Sequence, residues 1–170
     1  MNMVRGRSMP GVDPASPAAV AQYLNGAFPM QGHGGLYFTL WYGVYDRRSR
    51  SIAYCSAGHH PAYLVPPGRD EAIALRVPNV PLGVAPGARF TQESVAVPPG
   101  SSLYVFSDGV YEIELNGGGL WTLEAFAQAL LAPPVPGVPE TRRLKDAAHA
   151  VAKDPASFED DFSMVVATFD

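Results

Sequence analysis

Residues 101–109 read SSLYVFSDG and residues 160–169 read DDFSMVVATF, and these two stretches decide the fold. Both contain runs of β-branched and aromatic residues, which are typical of strands. Asp108 directly follows the first run, and Asp160 precedes the second. If the two strands are antiparallel neighbours, the end of one lies beside the start of the other, so the carboxylates converge. Carboxylate oxygens are the ligands that Mg²⁺ or Mn²⁺ prefers, but Asp-Gly is also a common turn dipeptide. The spacing alone therefore leaves a metal site and a structural turn both open.

The composition indicates one globular domain. The chain has 170 residues, of which 47% are hydrophobic and 16% are charged, so it can bury a core. Its net charge of −4 gives no basic surface for nucleic acid or for an anionic membrane. No apolar run approaches the ~20 residues of a membrane-spanning helix. The single cysteine, Cys55, excludes an internal disulfide and favours a reducing, cytoplasmic location.

The pattern of apolar residues predicts an α+β chain. Residues 36–46 read LYFTLWYGVYD and are apolar on both faces, so we expect a central strand covered on both sides, with its aromatic side chains in the core. We expect residues 1–13 to form a disordered lead and residues 14–170 a single domain. Within it, we predict three helices, the first capped by the Ser16 hydroxyl, over residues 16–26, 122–131 and 140–152. Further strands are predicted over residues 51–56, 62–65, 71–77, 89–97, 102–107 and 162–169, the last of them buried.

Five segments, in order, resemble the SpoIIE/RsbU-type branch of the PPM (type 2C-like) metal-dependent protein Ser/Thr phosphatases. They read FTLWYGV (38–44), YCSAGHHP (54–61), PLG (81–83), LYVFSDGVYE (103–112) and DDFSMVV (160–166). The resemblance implies a β-sandwich of mainly antiparallel strands flanked by helices. It also implies hydrolysis of phosphoserine or phosphothreonine by water that Mg²⁺ or Mn²⁺ activates. The implied setting is bacterial sigma-factor partner-switching in the cytoplasm, with a phosphoprotein substrate such as an anti-sigma-factor antagonist.

The same resemblance assigns roles to individual residues. It makes Asp108 and Asp160 metal ligands. It makes Asp161 a residue that positions these ligands without binding the ion itself. Ser107 and Gly109 flank the first ligand and belong to the same supporting set. Three more residues occupy family-motif positions to which we assign no chemical step: Gly58, His59 and Gly83.

The sequence also departs from the family pattern. The family carries a Gly-Asp-x-x-Asp motif and a Gly-Asp-Val-Ser-Gly-type motif with the Asp that bridges two metals, and neither is present. The resemblance is therefore to the C-terminal, larger part of such a domain, as a start-site choice or a natural loss would leave it. Residues 31–35 (QGHGG) look like an Asp-Gly-His-Gly-Gly motif, but Gln stands in place of the carboxylate. A glycine-rich loop is the plainer interpretation.

Three functional interpretations follow from this departure. The first is a metal-dependent phosphatase, and the second is a catalytically inactive protein-binding module that has lost the bridging Asp. The third is an unrelated α+β domain. Two carboxylates hold an ion weakly by themselves, so we expect little activity from the chain alone. Loss of early strands predicts an exposed sheet edge, through which a homodimer could form.

Other residues of reactive types have plainer explanations. His59 and His60 are adjacent on an extended segment, so we expect their side chains to point in opposite directions and not to share an ion. Cys55 lies in an apolar strand and is expected to be a buried small hydrophobe. Glu112 and Glu114 follow the Asp-Gly turn and are expected to be solvated.

Overall fold

The computed structural model describes residues 9–154 and 160–170. The chain forms two compact units. The first comprises the chain up to Pro61 together with Leu75–Val97, and the second comprises Ala62–Ala74 and Pro98–Asp170. Part of the predicted lead, residues 1–13, lies outside the described residues. In its described part, Met9 is buried and its carbonyl accepts a turn hydrogen bond from the amide of Val12 at 3.2 Å.

Three α-helices and nine strands occur in the described part of the chain. The helices are α1 (Pro17–Ala27), α2 (Leu123–Leu131) and α3 (Glu140–Val151). The strands are β1 (Leu40–Asp46), β2 (Ser51–Ala57), β3 (Ala62–Val65), β4 (Ile73–Leu75), β5 (Glu93–Ala96), β6 (Ser101–Phe106), β7 (Ile113–Glu114), β8 (Leu120–Trp121) and β9 (Met164–Phe169). None of the helices found in residues 9–154 and 160–170 is long and apolar enough to cross a membrane.

The first unit contains a three-stranded antiparallel sheet in the order β1-β2-β5. The β1–β2 hairpin pairs Leu40 with Ala57 and Asp46 with Ser51. Helix α1 packs against β1 and β2. The core of the first unit includes a small cluster of buried residues: Ala21, Cys55, Ala57, Leu82 and Phe90.

Helix α1 begins where the sequence predicts, but its cap differs. Ser16 occupies the N-cap position and makes no side-chain capping bond. Instead, Oε1 of Gln92 accepts hydrogen bonds from the amide of Ala18 at 2.9 Å and from the Ser16 hydroxyl at 3.2 Å. A residue distant in sequence therefore satisfies the first turn, which local sequence cannot reveal.

The prediction of a central strand over residues 36–46 is wrong. The strand begins at Leu40, and β1 pairs only with β2 among the described residues, so β1 is an edge strand. Leu36, Tyr37 and Phe38 are 73%, 58% and 38% exposed, so these three apolar residues do not lie in the core. The segment leaves the β2 register because Phe38 forms an isolated antiparallel bridge with Leu82.

The second unit contains a four-stranded sheet in the order β4-β3-β6-β9, with β6 antiparallel to both β3 and β9. Helix α2 packs against β3, and α3 packs against β9 and α2. The core between sheet and helices contains Tyr104, Phe106 and Phe126, and the Phe106 and Phe126 rings meet edge to face at 4.7 Å. Such aromatic pairs stabilise a core beyond their buried area.

The last strand is placed as predicted, but it is not buried. β9 is the edge strand of its sheet, and Val165 on its outward face is 65% exposed. The hairpin of β7 and β8 was not predicted. Its strands have two residues each, too few to show any periodicity.

Candidate active site

The two acidic turns lie side by side where β6 ends and β9 begins, at one end of the second unit's strands. β6 ends at Phe106, which pairs with Met164 at the start of β9. Asp108 begins a short 3₁₀ turn directly after β6, and Asp160 lies four residues before β9. The two strands are therefore antiparallel neighbours, which is the condition under which the sequence brings the two carboxylates together.

Ser107 ties the two turns together. Its amide donates to the carbonyl of Ser163 at 2.9 Å, and its hydroxyl donates to the carbonyl of Asp161 at 2.6 Å. The amide of Ser163 in turn donates to the Ser107 hydroxyl oxygen at 3.0 Å. These bonds extend the β6–β9 ladder past its last strand residues and fix the backbone that carries both carboxylates. Sequence reasoning missed the part that Ser163 plays, because Ser163 contacts Ser107 through its backbone amide and carbonyl, which its residue type does not reveal.

Gly109 allows the turns to approach this closely. A Cβ atom at this position would lie 2.7 Å from the carbonyl oxygen of Asp161 and 3.1 Å from the carbonyl carbon of Asp160. Both neighbours are backbone atoms, so they cannot move away as a flexible side chain would. Only glycine fits without separating the two acidic segments.

We expect Gly109→Ala to lower the free energy of unfolding by about 2 kcal/mol, because overpacking against backbone costs that order. Gly117→Ala is the matched control, since a Cβ at Gly117 meets nothing within 4 Å. Urea denaturation of both variants checks the prediction. Equal stability of the two variants would contradict the close approach.

The carboxylates of this site are exposed and only partly used. Asp108 Oδ1 accepts the amide of Gly109 at 3.2 Å, and Asp160 Oδ1 accepts the amide of Asp161 at 2.7 Å. The second oxygen of each has no hydrogen-bond partner among the described residues. Asp161 is also exposed. The site therefore offers free, hard oxygen ligands to a cation from solvent.

Asp108 and Asp160 offer the type of ligand that a divalent cation prefers, but they supply only part of the number that it needs. Carboxylate oxygens suit Mg²⁺ and Mn²⁺, which need about six ligands. Within residues 9–154 and 160–170, no group of three or more His, Cys, Asp or Glu side chains is placed to hold a metal. Water, substrate oxygens or another polypeptide would have to complete the shell around Asp108 and Asp160.

Neighbouring charges make the site negative. Burial and, after it, the charges of Glu112 and Asp108 raise the pKa of Tyr111 to about 12. The amide of Glu112 donates to the Asp108 carbonyl at 2.9 Å, so both carboxylates belong to one turn. Glu112 is exposed, as expected. A negative field of this kind favours a cation over an anion.

The family-motif residues Gly58, His59 and Gly83 belong to the first unit. Gly58 and Gly83 have φ angles of 68° and 91°, which favour glycine. Close neighbours also exclude side chains there, since a Cβ would lie 2.5 Å from Pro81 at Gly58 and 2.5 Å from the Phe28 carbonyl at Gly83. These glycines serve backbone packing in that unit.

The two histidines do not point in opposite directions, so that expectation is wrong. The rings of His59 and His60 lie 4.0 Å apart. Nδ1 of His59 lies 2.8 Å from the His60 carbonyl, and Nδ1 of His60 lies 3.2 Å from the Pro61 carbonyl. The chain turns here instead of staying extended, because Gly58 takes a positive φ.

The remaining residues of reactive types are buried, or form hydrogen bonds or ion pairs within the fold. Cys55 is fully buried, and burial raises its pKa to about 11, so the thiol stays protonated near neutral pH. Residues 31–35 are exposed, and Nδ1 of His33 lies 2.9 Å from the Pro29 carbonyl. Glu114 is exposed and pairs with Lys153 at 2.8 Å.

Solved structures of known proteins share the fold of this chain. The SiaA-PP2C domain of Pseudomonas aeruginosa matches with a TM-score of 0.74 and 20% identity, over 92% of this chain and 62% of that chain. A manganese-presoaked structure of the SpoIIE phosphatase domain from Bacillus subtilis matches with a TM-score of 0.58 and 19% identity, over 78% of this chain and 56% of that chain. The helices and antiparallel sheets are those of the PP2C phosphatase fold, which confirms the predicted α+β class.

Sequence comparison gives the family. The family model described as Stage II sporulation protein E (SpoIIE) matches residues 2–170, so the chain belongs to the SpoIIE family and the resemblance is confirmed. Phosphoserine phosphatase RsbU of Bacillus subtilis is 25% identical over 104 residues, which are 61% of this chain and 31% of that protein. Protein IcfG of Synechocystis sp. is 31% identical over 81 residues, which are 46% of this chain and 12% of that protein. The chain therefore spans less than a third of the length of either curated relative.

Proposed function

We propose that this chain is part of a metal-dependent protein phosphatase that hydrolyses phosphoserine or phosphothreonine at the Asp108–Asp160 turns. The observation that carries the proposal is the Ser107 contact, which holds two exposed acidic turns together in a SpoIIE-family chain. The similarity to a protein named phosphoserine phosphatase supports the choice of substrate group.

In this proposal, Asp108 and Asp160 hold a Mn²⁺ or Mg²⁺ ion through their free carboxylate oxygens. When bound, such an ion lowers the pKa of coordinated water and neutralises phosphoryl oxygens. Ser107 and Gly109 are positioning residues, because they set the separation of the two carboxylates. Asp161 supports the site through its carbonyl, which accepts the Ser107 hydroxyl. The manganese-presoaked SpoIIE phosphatase structure supports the choice of ion.

The test is Mn²⁺-dependent release of phosphate from a phosphoserine peptide. We expect Asp108→Asn and Asp160→Asn each to lower the rate by about 100-fold, since each removes a charged ligand of the ion. Glu71→Gln is the matched control, because Glu71 is an exposed carboxylate elsewhere in the second unit. Activity that survives both Asn substitutions would contradict the proposed site.

The alternative is a catalytically inactive module that binds a protein partner. It is favoured by the absence of a third metal-binding side chain in the described residues. Folded protein that releases no phosphate with Mn²⁺ or Mg²⁺ would support this alternative over the enzyme.

We further propose a phosphoprotein substrate in bacterial partner-switching, such as an anti-sigma-factor antagonist. Similarity to RsbU supports it. The single, buried cysteine is compatible with a cytoplasmic location. Phosphate release from a panel of serine-phosphorylated antagonists would test the substrate, and equal rates on unrelated phosphopeptides would contradict it.

A homodimer through the free edge of β1 is also proposed. This edge contains no Lys or Pro to block pairing. Antiparallel pairing about Gly43 places Trp41 opposite Tyr45 of the second copy, and both aromatic side chains favour such pairs. Sedimentation equilibrium of the wild type and of Tyr45→Lys, a substitution within the paired strand, tests it, and we expect only the wild type to dimerise. A wild type that stays monomeric at high concentration would contradict it.

A further inference from the structure

A cavity of about 340 Å³ lies in the second unit, at the end of β6 opposite the acidic turns. Its walls are largely apolar, with two hydroxyl groups from the paired residues of neighbouring strands β6 and β9. The lining residues include Val65, Val138, Val166, Ser102 and Thr168. This volume suits a small organic molecule.

The cavity also has two charged lining residues, Arg69 and Glu140. The acceptors of Glu140 are already in use. Its Oε1 accepts from Arg69 at 2.7 Å, from the Tyr104 hydroxyl at 2.7 Å and from Arg143 at 2.6 Å, while its Oε2 accepts from Nε of Arg143 at 2.7 Å. Arg143 thus forms a two-point pair with Glu140, which compensates its charge.

Arg69 retains unused donors and shares its only paired carboxylate among the described residues, Glu140, with Arg143. All hydrogen bonds of the Arg69 side chain to described residues come from Nη2, which donates to the Glu140 carboxylate, the Tyr104 hydroxyl oxygen and the carbonyl of Leu130. Among the described residues its Nη1 donates to no protein group and is the donor left for a ligand, whereas its Nε is buried out of a ligand's reach. Two guanidinium groups therefore meet one carboxylate, so the cluster carries one excess positive charge beside the cavity.

We propose that this cavity binds a small aliphatic carboxylate, with the carboxylate at Arg69 and the hydrocarbon part against Val65, Val138 and Val166. The ligand supplies the missing negative charge, and the hydroxyls of Ser102 and Thr168 offer further donors. An amino acid binds less well, because the Glu140 oxygens are occupied and leave its ammonium without a carboxylate partner. The site is separate from the phosphatase site and does not depend on its activity.

The experiment is a titration of the whole ¹⁵N-labelled chain with isovalerate, isovaleramide, isoamylamine and leucine, followed by amide chemical shifts. We expect saturable shifts with isovalerate at Val65, Ser102 and Thr168. Isovaleramide, isoamylamine and leucine should bind at least about tenfold more weakly than isovalerate. The first two lack the carboxylate charge, and leucine adds an ammonium charge that has no partner. Equal affinity for isovalerate and isovaleramide, or no saturable shift with isovalerate, would overturn the proposal.

Three variants locate the binding. Val138→Trp is expected to fill the cavity, because Val138 lines it and takes part in none of the ion pairs, and Val135→Trp is the control because Val135 is another exposed valine that does not line it. We expect isovalerate binding to be lost in the first and kept in the second. Arg69→Gln should also weaken binding about tenfold in folded protein. Unchanged binding in Val138→Trp would overturn the assignment.

Discussion

Replacing Glu140 by Gln is expected to lower the free energy of unfolding by about 3 kcal/mol, which corresponds to a melting temperature about 10 °C lower. Glu140 is 18% exposed and lies between Arg69 and Arg143, which are 14% and 10% exposed. Removal of its charge leaves two guanidinium groups in a poorly solvated place without a counter-charge. The bridge also joins the turn after β3 to the C-terminus of α2 and the N-terminus of α3, so several elements loosen together.

Thermal unfolding of Glu140→Gln beside Asp146→Asn checks this expectation. Asp146 pairs with Arg142 on the exposed face of the same helix, where both side chains are more than half exposed. Exposed pairs contribute about 0.5 kcal/mol or less, so the control should unfold almost as the wild type does. An equal fall in melting temperature in the two variants would contradict the prediction, because the buried bridge would then stabilise the fold no more than the exposed pair does.

The same bridge predicts how stability changes with pH. Burial disfavours the charged form of Glu140, but hydrogen bonds from Arg143, Tyr104 and Arg69 outweigh it and lower its pKa from 4.5 to about 2. A carboxyl with a lowered folded-state pKa stabilises the fold above its unfolded value and loses that contribution as pH falls from about 4.5 to about 2. The stability difference between wild type and Glu140→Gln should therefore shrink over that interval.

The acidic turns could be predicted from the sequence because each lies within a few residues of the end or the start of an apolar strand. A strand end fixes where its next side chain lies, so Asp108 and Asp160 needed only the antiparallel pairing of β6 and β9 to meet. The contact distance between the turns could not be predicted. It depends on the Ser107 hydroxyl and on the missing side chain of Gly109, whose partners lie more than fifty residues away.

Edge strands account for the main errors of the sequence analysis. Apolar alternation shows which residues share a face, but it does not show what covers that face. Residues 36–46 and 162–169 were both predicted as buried strands, yet β1 and β9 are sheet edges, and Tyr37 before β1 and Val165 in β9 are exposed. The Arg69–Glu140 bridge was equally invisible, because its partners are 71 residues apart and neither lies in a motif.

The most direct test of the central claim is a Mn²⁺ titration that measures free ion by electron paramagnetic resonance. The claim is that Asp108 and Asp160 hold the same cation. We expect the wild type to bind one Mn²⁺, and Asp108→Asn and Asp160→Asn each to bind it at least about tenfold more weakly, because each loses a charged oxygen ligand. Glu71→Gln should bind as the wild type does. Wild-type affinity in either Asn variant would show that its carboxylate is not a ligand and would contradict the claim.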